Sequence, residues 1–151
     1  MSLLGSLFGR KSKPQRSSKD QFLHETVARQ VEILQDCVEL VNDSCNFSTV
    51  ARRYEMLIGT LHDLMAYTPE ELQRAGVRPE KPFKEYLDEI LAKKDIIINQ
   101  AIKRAYDDTV AKASELKTEK GRRARLDKFR EEVLNSDVLS ENNIVYLEAL
   151  F

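Results

Sequence analysis

The stretch from Phe83 to Lys120 contains neither Gly nor Pro, and this constrains the chain more than any other feature. Apolar residues recur through it at helical spacing: Phe83, Tyr86, Leu87, Ile90, Leu91, Ile97, Ile98, Ala101, Ile102, Ala105, Tyr106, Val110, Ala113 and Leu116. A stripe of period near 3.6 marks a helix with one face in a core. Unbroken, such a helix is about 55 Å long at 1.5 Å per residue. Shorter striped segments flank it, so the expected fold is all-α: an irregular bundle of five or six helices around one long central helix. Composition agrees, with 42% hydrophobic and 32% charged residues and only five Gly and four Pro in 151 residues. That balance fits one helix-rich domain better than a β-sandwich or a disordered chain.

The segments follow in order. Phe22, Leu23, Thr26, Val27, Val31, Leu34, Cys37, Val38 and Val41 predict a helix over about 20–42, ending in the Asn42-Asp43-Ser44 loop. A second helix starts at Asn46 or Ser48, both good N-caps, and runs to about Tyr67 with Val50, Tyr54, Leu57, Ile58, Leu61, Leu64 and Met65 inward. Thr68-Pro69-Glu70-Glu71 is a restart signal, and Gly76 stands where the resulting short helix should stop. Val77 to Pro82 is a linker whose Pro79-x-x-Pro82 is simpler as a connector than as a ligand for a proline-binding domain. Gly121 is placed to end or interrupt the long helix. Leu126, Phe129, Val133 and Leu134 resume the stripe. A turn at 135–137 and a cap at Ser140 introduce a last helix through Ile144, Val145, Leu147, Leu150 and Phe151.

Residues 1–19 stand apart from this helical domain, 20–151. Leu3, Leu4, Leu7 and Phe8 share one side of a short helix, and Arg10, Lys11, Lys13, Arg16 and Lys19 follow with no acid. With a total charge of −1, those five basic residues leave −6 for 20–151. An apolar wedge beside a basic run is the pattern of a peripheral membrane tether, in which two weak signals add. The candidate membrane contacts are Leu3, Leu4, Leu7, Phe8, Arg10, Lys11 and Lys13. Ser2 takes the place of the glycine that myristoylation needs. The alternatives are a leader with no specific role, an apolar start that docks on the protein's own core, and a transit peptide. The order of charge and the short apolar run do not fit a secretory signal, and no apolar run suits a bilayer span.

No catalytic or metal pattern emerges, and no cofactor is implied. His24-Glu25 lacks the second zinc-binding His, because Ala28 stands at that position. Cys37 and Cys45 match no zinc or redox spacing; reduced thiols in a cytoplasmic protein are the expectation. The acid pairs Glu70-Glu71, Asp88-Glu89, Asp107-Asp108 and Glu131-Glu132 diverge by about 100° on a helix, so they share no substrate atom. The sequence holds no Gly-rich phosphate loop. One charge cluster suggests a ligand. Lys117, Lys120, Arg122, Arg123, Arg125 and Lys128, with Arg130, carry +5 against Glu119 and Asp127. A helix of that density can follow a phosphate backbone, although no aromatic platform accompanies it. Ion pairing with the acidic segment 131–151 accounts for the basic run without any ligand.

Arg29-Gln30-Val31-Glu32-Ile33-Leu34, Arg53-Tyr54 and Leu116-Lys117-Thr118-Glu119-Lys120-Gly121-Arg122 resemble segments of small helical proteins of Gram-positive bacteria and their mobile elements. Those proteins also often begin with a short Leu/Phe-Gly stretch and a basic run. The resemblance implies an intracellular helical protein. Its motifs are tied to no known chemistry and transfer no site residues. The sequence thus favours a non-enzymatic interaction module with an unknown protein partner, with tethering at the inner face of the membrane as an option. A nucleic-acid-binding accessory protein using 117–130 is the alternative.

Overall fold

The computed structural model describes residues 18–151, and all of its regular structure is helical. Seven helices are formed among these residues: α1 (Ser18–Asp43), α2 (Phe47–Met65), α3 (Pro69–Arg74), α4 (Phe83–Ala92), α5 (Lys94–Ser114), α6 (Glu119–Leu134) and α7 (Glu141–Ala149). The all-α bundle expectation holds, with the expected long helix over 83–120 divided among α4, α5 and the start of α6. The longest is α1, with 26 residues. The 83–120 stretch divides at Lys93, and α5 ends at Ser114.

The division at Lys93 has a local cause. The apolar stripe lapses between Leu91 and Ile97, and Lys94 occupies the position where continuity asks for an apolar residue. Asp95 then falls in the first turn of α5, where a carboxylate complements the helix dipole. The second break is a capped restart. Thr118 Oγ1 accepts a hydrogen bond from Gly121 N at 3.0 Å and so caps α6. Gly121 therefore lies inside the first turn of α6 instead of ending the helix before it. A Cβ at Gly121 would come within 2.9 Å of that capping hydroxyl, so glycine keeps the cap close.

The chain forms two compact units. The first comprises the described residues up to Glu39 together with Tyr54–Ala92. Val27, Val31, Leu34, Leu57, Leu61, Leu64, Phe83, Tyr86, Leu87 and Ile90 are buried in it. The second comprises Leu40–Arg53 and Lys93–Phe151. There α5 packs against α6 and α7, and Val50, Ile97, Ile98, Ile102, Phe129, Val133 and Leu147 are buried.

Several residues expected inward are exposed: Phe22, Met65, Leu91, Val110, Leu134, Ile144, Val145 and Phe151. The stripes were wider than the buried faces. In α7, for example, burial follows Asn143 and Leu147, one turn apart, which leaves Ile144 and Val145 outside.

Candidate functional site

In the first unit, the end of α2, the short α3 and the linker to α4 enclose an open groove of about 750 Å³. Local sequence builds each wall. Thr68 and Glu71 form a reciprocal capping box that starts α3 after Met65, with Pro69 in its first turn. The Thr68 backbone hydrogen bond holds the Glu71 carboxyl below its ordinary pKa. Gly76 takes φ = 79°, a left-handed conformation natural only to glycine, and Val77 N donates back to Leu72 O at 2.9 Å. The chain reverses there and returns through Pro79 and Pro82 to Phe83. Pro79-x-x-Pro82 is thus part of the groove wall.

The lining is mostly apolar. Leu64, Leu72, Val77 and Phe83 are buried beneath it, while Met65 keeps 37% of its surface exposed at its edge. Its charged members are Arg78, Glu80, Lys81 and Lys84. Lys81 is committed elsewhere: Nζ donates to Glu89 Oε2 at 2.6 Å, lies 4.7 Å from the Tyr86 ring centroid, and has its pKa raised first by the Glu89 hydrogen bond. Arg78 and Lys84 are exposed.

In the second unit, a more polar groove of about 840 Å³ lies among Ser44–Phe47, α5 and α6. It gathers Lys112, Arg125 and Lys128 with Asp108 and Glu132. Lys112 pairs with Asp108 at 2.9 Å, whereas Arg125 and Lys128 are in no ion pair among the described residues.

The six candidate nucleic-acid residues do not form one face. Arg125 and Lys128 point into the polar groove. Arg122 Nη1 donates to Leu116 O at 2.7 Å and so ties the loop before α6. At about 100° per residue, Lys120 and Arg123 fall opposite the buried Phe129, beside Asp127 and Glu131. Lys117 lies in the loop before the helix. Ion pairing within the chain accounts for Arg130, whose guanidinium meets Glu148 at 3.1 and 2.5 Å, and for none of those six.

The histidines and cysteines do not converge. His24 donates through Nδ1 to Ala75 O, His62 is exposed, Cys37 is buried and Cys45 exposed. Among the described residues no three His, Cys, Asp or Glu side chains are grouped to hold a metal ion, and no helix is long and apolar enough to cross a membrane. The candidate membrane contacts Leu3, Leu4, Leu7, Phe8, Arg10, Lys11 and Lys13 lie outside the described residues.

Two residues that pattern reading passed over organise the second unit. Arg104 reaches the end of α1, donating from Nη2 to Val41 O at 2.7 Å and from Nε to Ser44 O at 3.2 Å. Burial lowers its pKa. Two cations, Lys103 and Arg104, stand between Ile102 and Ala105, and nothing in the sequence tells which of them turns inward. Asn143 is fully buried, and a polar residue inside a short C-terminal helix carries no sequence signal for that. No family model, curated protein or solved structure matches this chain.

Proposed function

We propose that this protein is a non-enzymatic helical interaction module, held peripherally at an anionic membrane surface by residues 1–19. The observation that carries the binding role is the open, largely apolar groove of the first unit. Its volume is in the range of sites that take ligands or side chains, roughly 300–1,000 Å³. The tether rests on the sequence of Leu3, Leu4, Leu7 and Phe8 followed by five basic residues. Basic residues near an anionic surface are worth about 1 kcal/mol each, so neither half holds the protein alone.

Co-sedimentation with vesicles tests this. The intact chain is expected to pellet with vesicles containing phosphatidylserine and to stay in solution with phosphatidylcholine alone. High salt, or Leu7→Asp with Phe8→Asp, should release it by screening or by removing the wedge. A chain starting at Asp20 should not pellet. If both chains remain in the supernatant, the tether is wrong. If both pellet equally, the membrane surface belongs to the helical domain.

The second reading, nucleic-acid binding, is favoured by one observation: Arg125 and Lys128 enter the same groove as Lys112. Two cations with no carboxylate partner are few for a phosphate-tracking surface, so the interaction module is the stronger reading.

A further inference from the structure

The apolar groove of the first unit lies beside the point where residues 1–17 join the described fold. Asp20, at the start of α1, faces Arg74 with its carboxylate 3.7 Å from the guanidinium, and His24 donates to Ala75 O. Leu72 and Gln73, immediately before Arg74, line the groove. The tail therefore begins next to the α3 wall. Nine residues lie between Phe8 and Ser18, a span of up to about 35 Å when extended. Phe8 and Leu7 can reach any part of the groove from there.

We propose that the groove is a docking site for the protein's own N-terminal apolar segment, with Leu7 and Phe8 as its occupants. The chemistry matches. The segment presents Leu3, Leu4, Leu7 and Phe8, and the groove offers Leu72, Val77, Phe83 and the exposed edge of Met65. Combined with the tether reading above, on which this part rests, one apolar segment serves two sites. It is held in the groove in solution and released to an anionic surface.

Charge favours the same pairing. Residues 20–39 and 54–92 of the first unit carry thirteen Asp and Glu against five Lys and Arg, so this unit is acidic and attracts the five basic residues of 10–19. Salt screens that attraction as it screens attraction to an anionic membrane.

The experiment uses the full chain with Ser6→Cys carrying a nitroxide and the exposed Cys45 changed to Ser; Cys37 is buried. Met65 and Met56 lie on the same helix, and only Met65 lines the groove. In methyl spectra the nitroxide should remove most of the Met65 signal and spare Met56, relative to the reduced label. Adding Leu7→Asp with Phe8→Asp should abolish the Met65 loss. Equal loss at both methionines, or none, overturns the proposal. So does transfer of the effect to an unlabelled, isotope-enriched chain in a mixture, which would assign the groove to a second copy's tail. Anionic vesicles should restore the Met65 signal. Selective loss at Met65 in a chain that never pellets with vesicles keeps the docking and removes the tether. Pelleting without selective loss does the reverse.

Discussion

Asn143 is fully buried, and both ends of its amide are used. Nδ2 donates to Asn99 Oδ1 at 2.8 Å and to Asp95 O at 3.2 Å, and Oδ1 accepts from Ser140 N at 2.9 Å. Ser140 Oγ closes the network by donating to Asp95 Oδ1 at 2.6 Å, and Asn142 donates to Asp95 Oδ2 at 2.9 Å. The cap of α7 is thereby fastened to the first turn of α5. Asn143→Leu would leave the Asn99 and Ser140 groups without this partner. A buried group so orphaned costs about 1–3 kcal/mol, and urea denaturation should show a loss of that size. The Ser140 hydrogen bond, then that of Asn142, holds the Asp95 carboxyl below its ordinary pKa. The unfolded chain therefore takes up this proton first. The stabilisation is complete above the unfolded value of about 3.9 and is lost as pH falls through the lower folded value. Asp95→Asn should flatten the acid limb of the stability profile, while a stability difference confined to neutral pH would contradict this assignment.

At the scale of elements, helix existence was legible and helix continuity was not. Thr68-Pro69 and Gly76 marked α3 correctly because each acts through its own backbone: a cap, a fixed φ and a left-handed turn. Thr118 carries the same capping signal, but the apolar residues on both sides of it read as one stripe. The basic helix α6 was visible as a charge run, whereas the direction of each cation was set by its surroundings. Arg122 turns to Leu116 O, Arg130 to Glu148, and Arg125 and Lys128 to the polar groove. If that groove binds phosphates, affinity for DNA or RNA should fall steeply with salt, and Arg125→Glu with Lys128→Glu should remove it. Binding that persists in this variant but fails with Lys120→Glu and Arg123→Glu would move the contact to the outer face of α6. Absence of any binding at low salt would dismiss this reading.

At the scale of the whole molecule, the chain divides its core between two units, with Leu87 buried in the first and Ile98 in the second. Leu87→Ala and Ile98→Ala should each cost roughly 2–5 kcal/mol, read by denaturation followed through helical circular dichroism. A loss at either site no larger than the ~0.5 kcal/mol of an ordinary surface change would show that its side chain is not packed as described. What the sequence alone determined was the all-α class and most helix positions. Periodicity, caps and charge runs are local properties and need no partner to be read. Only the tertiary structure decided where the 83–120 stretch divides, which edge of each stripe stays exposed, and which cations find carboxylates. It also made the groove, because Met65, Leu72, Pro79 and Phe83 acquire a common surface only when α2, α3 and the linker fold back on one another. Such a surface depends on how the consecutive segments between Leu64 and Lys84 pack on one another, and no single helix or turn pattern encodes that packing.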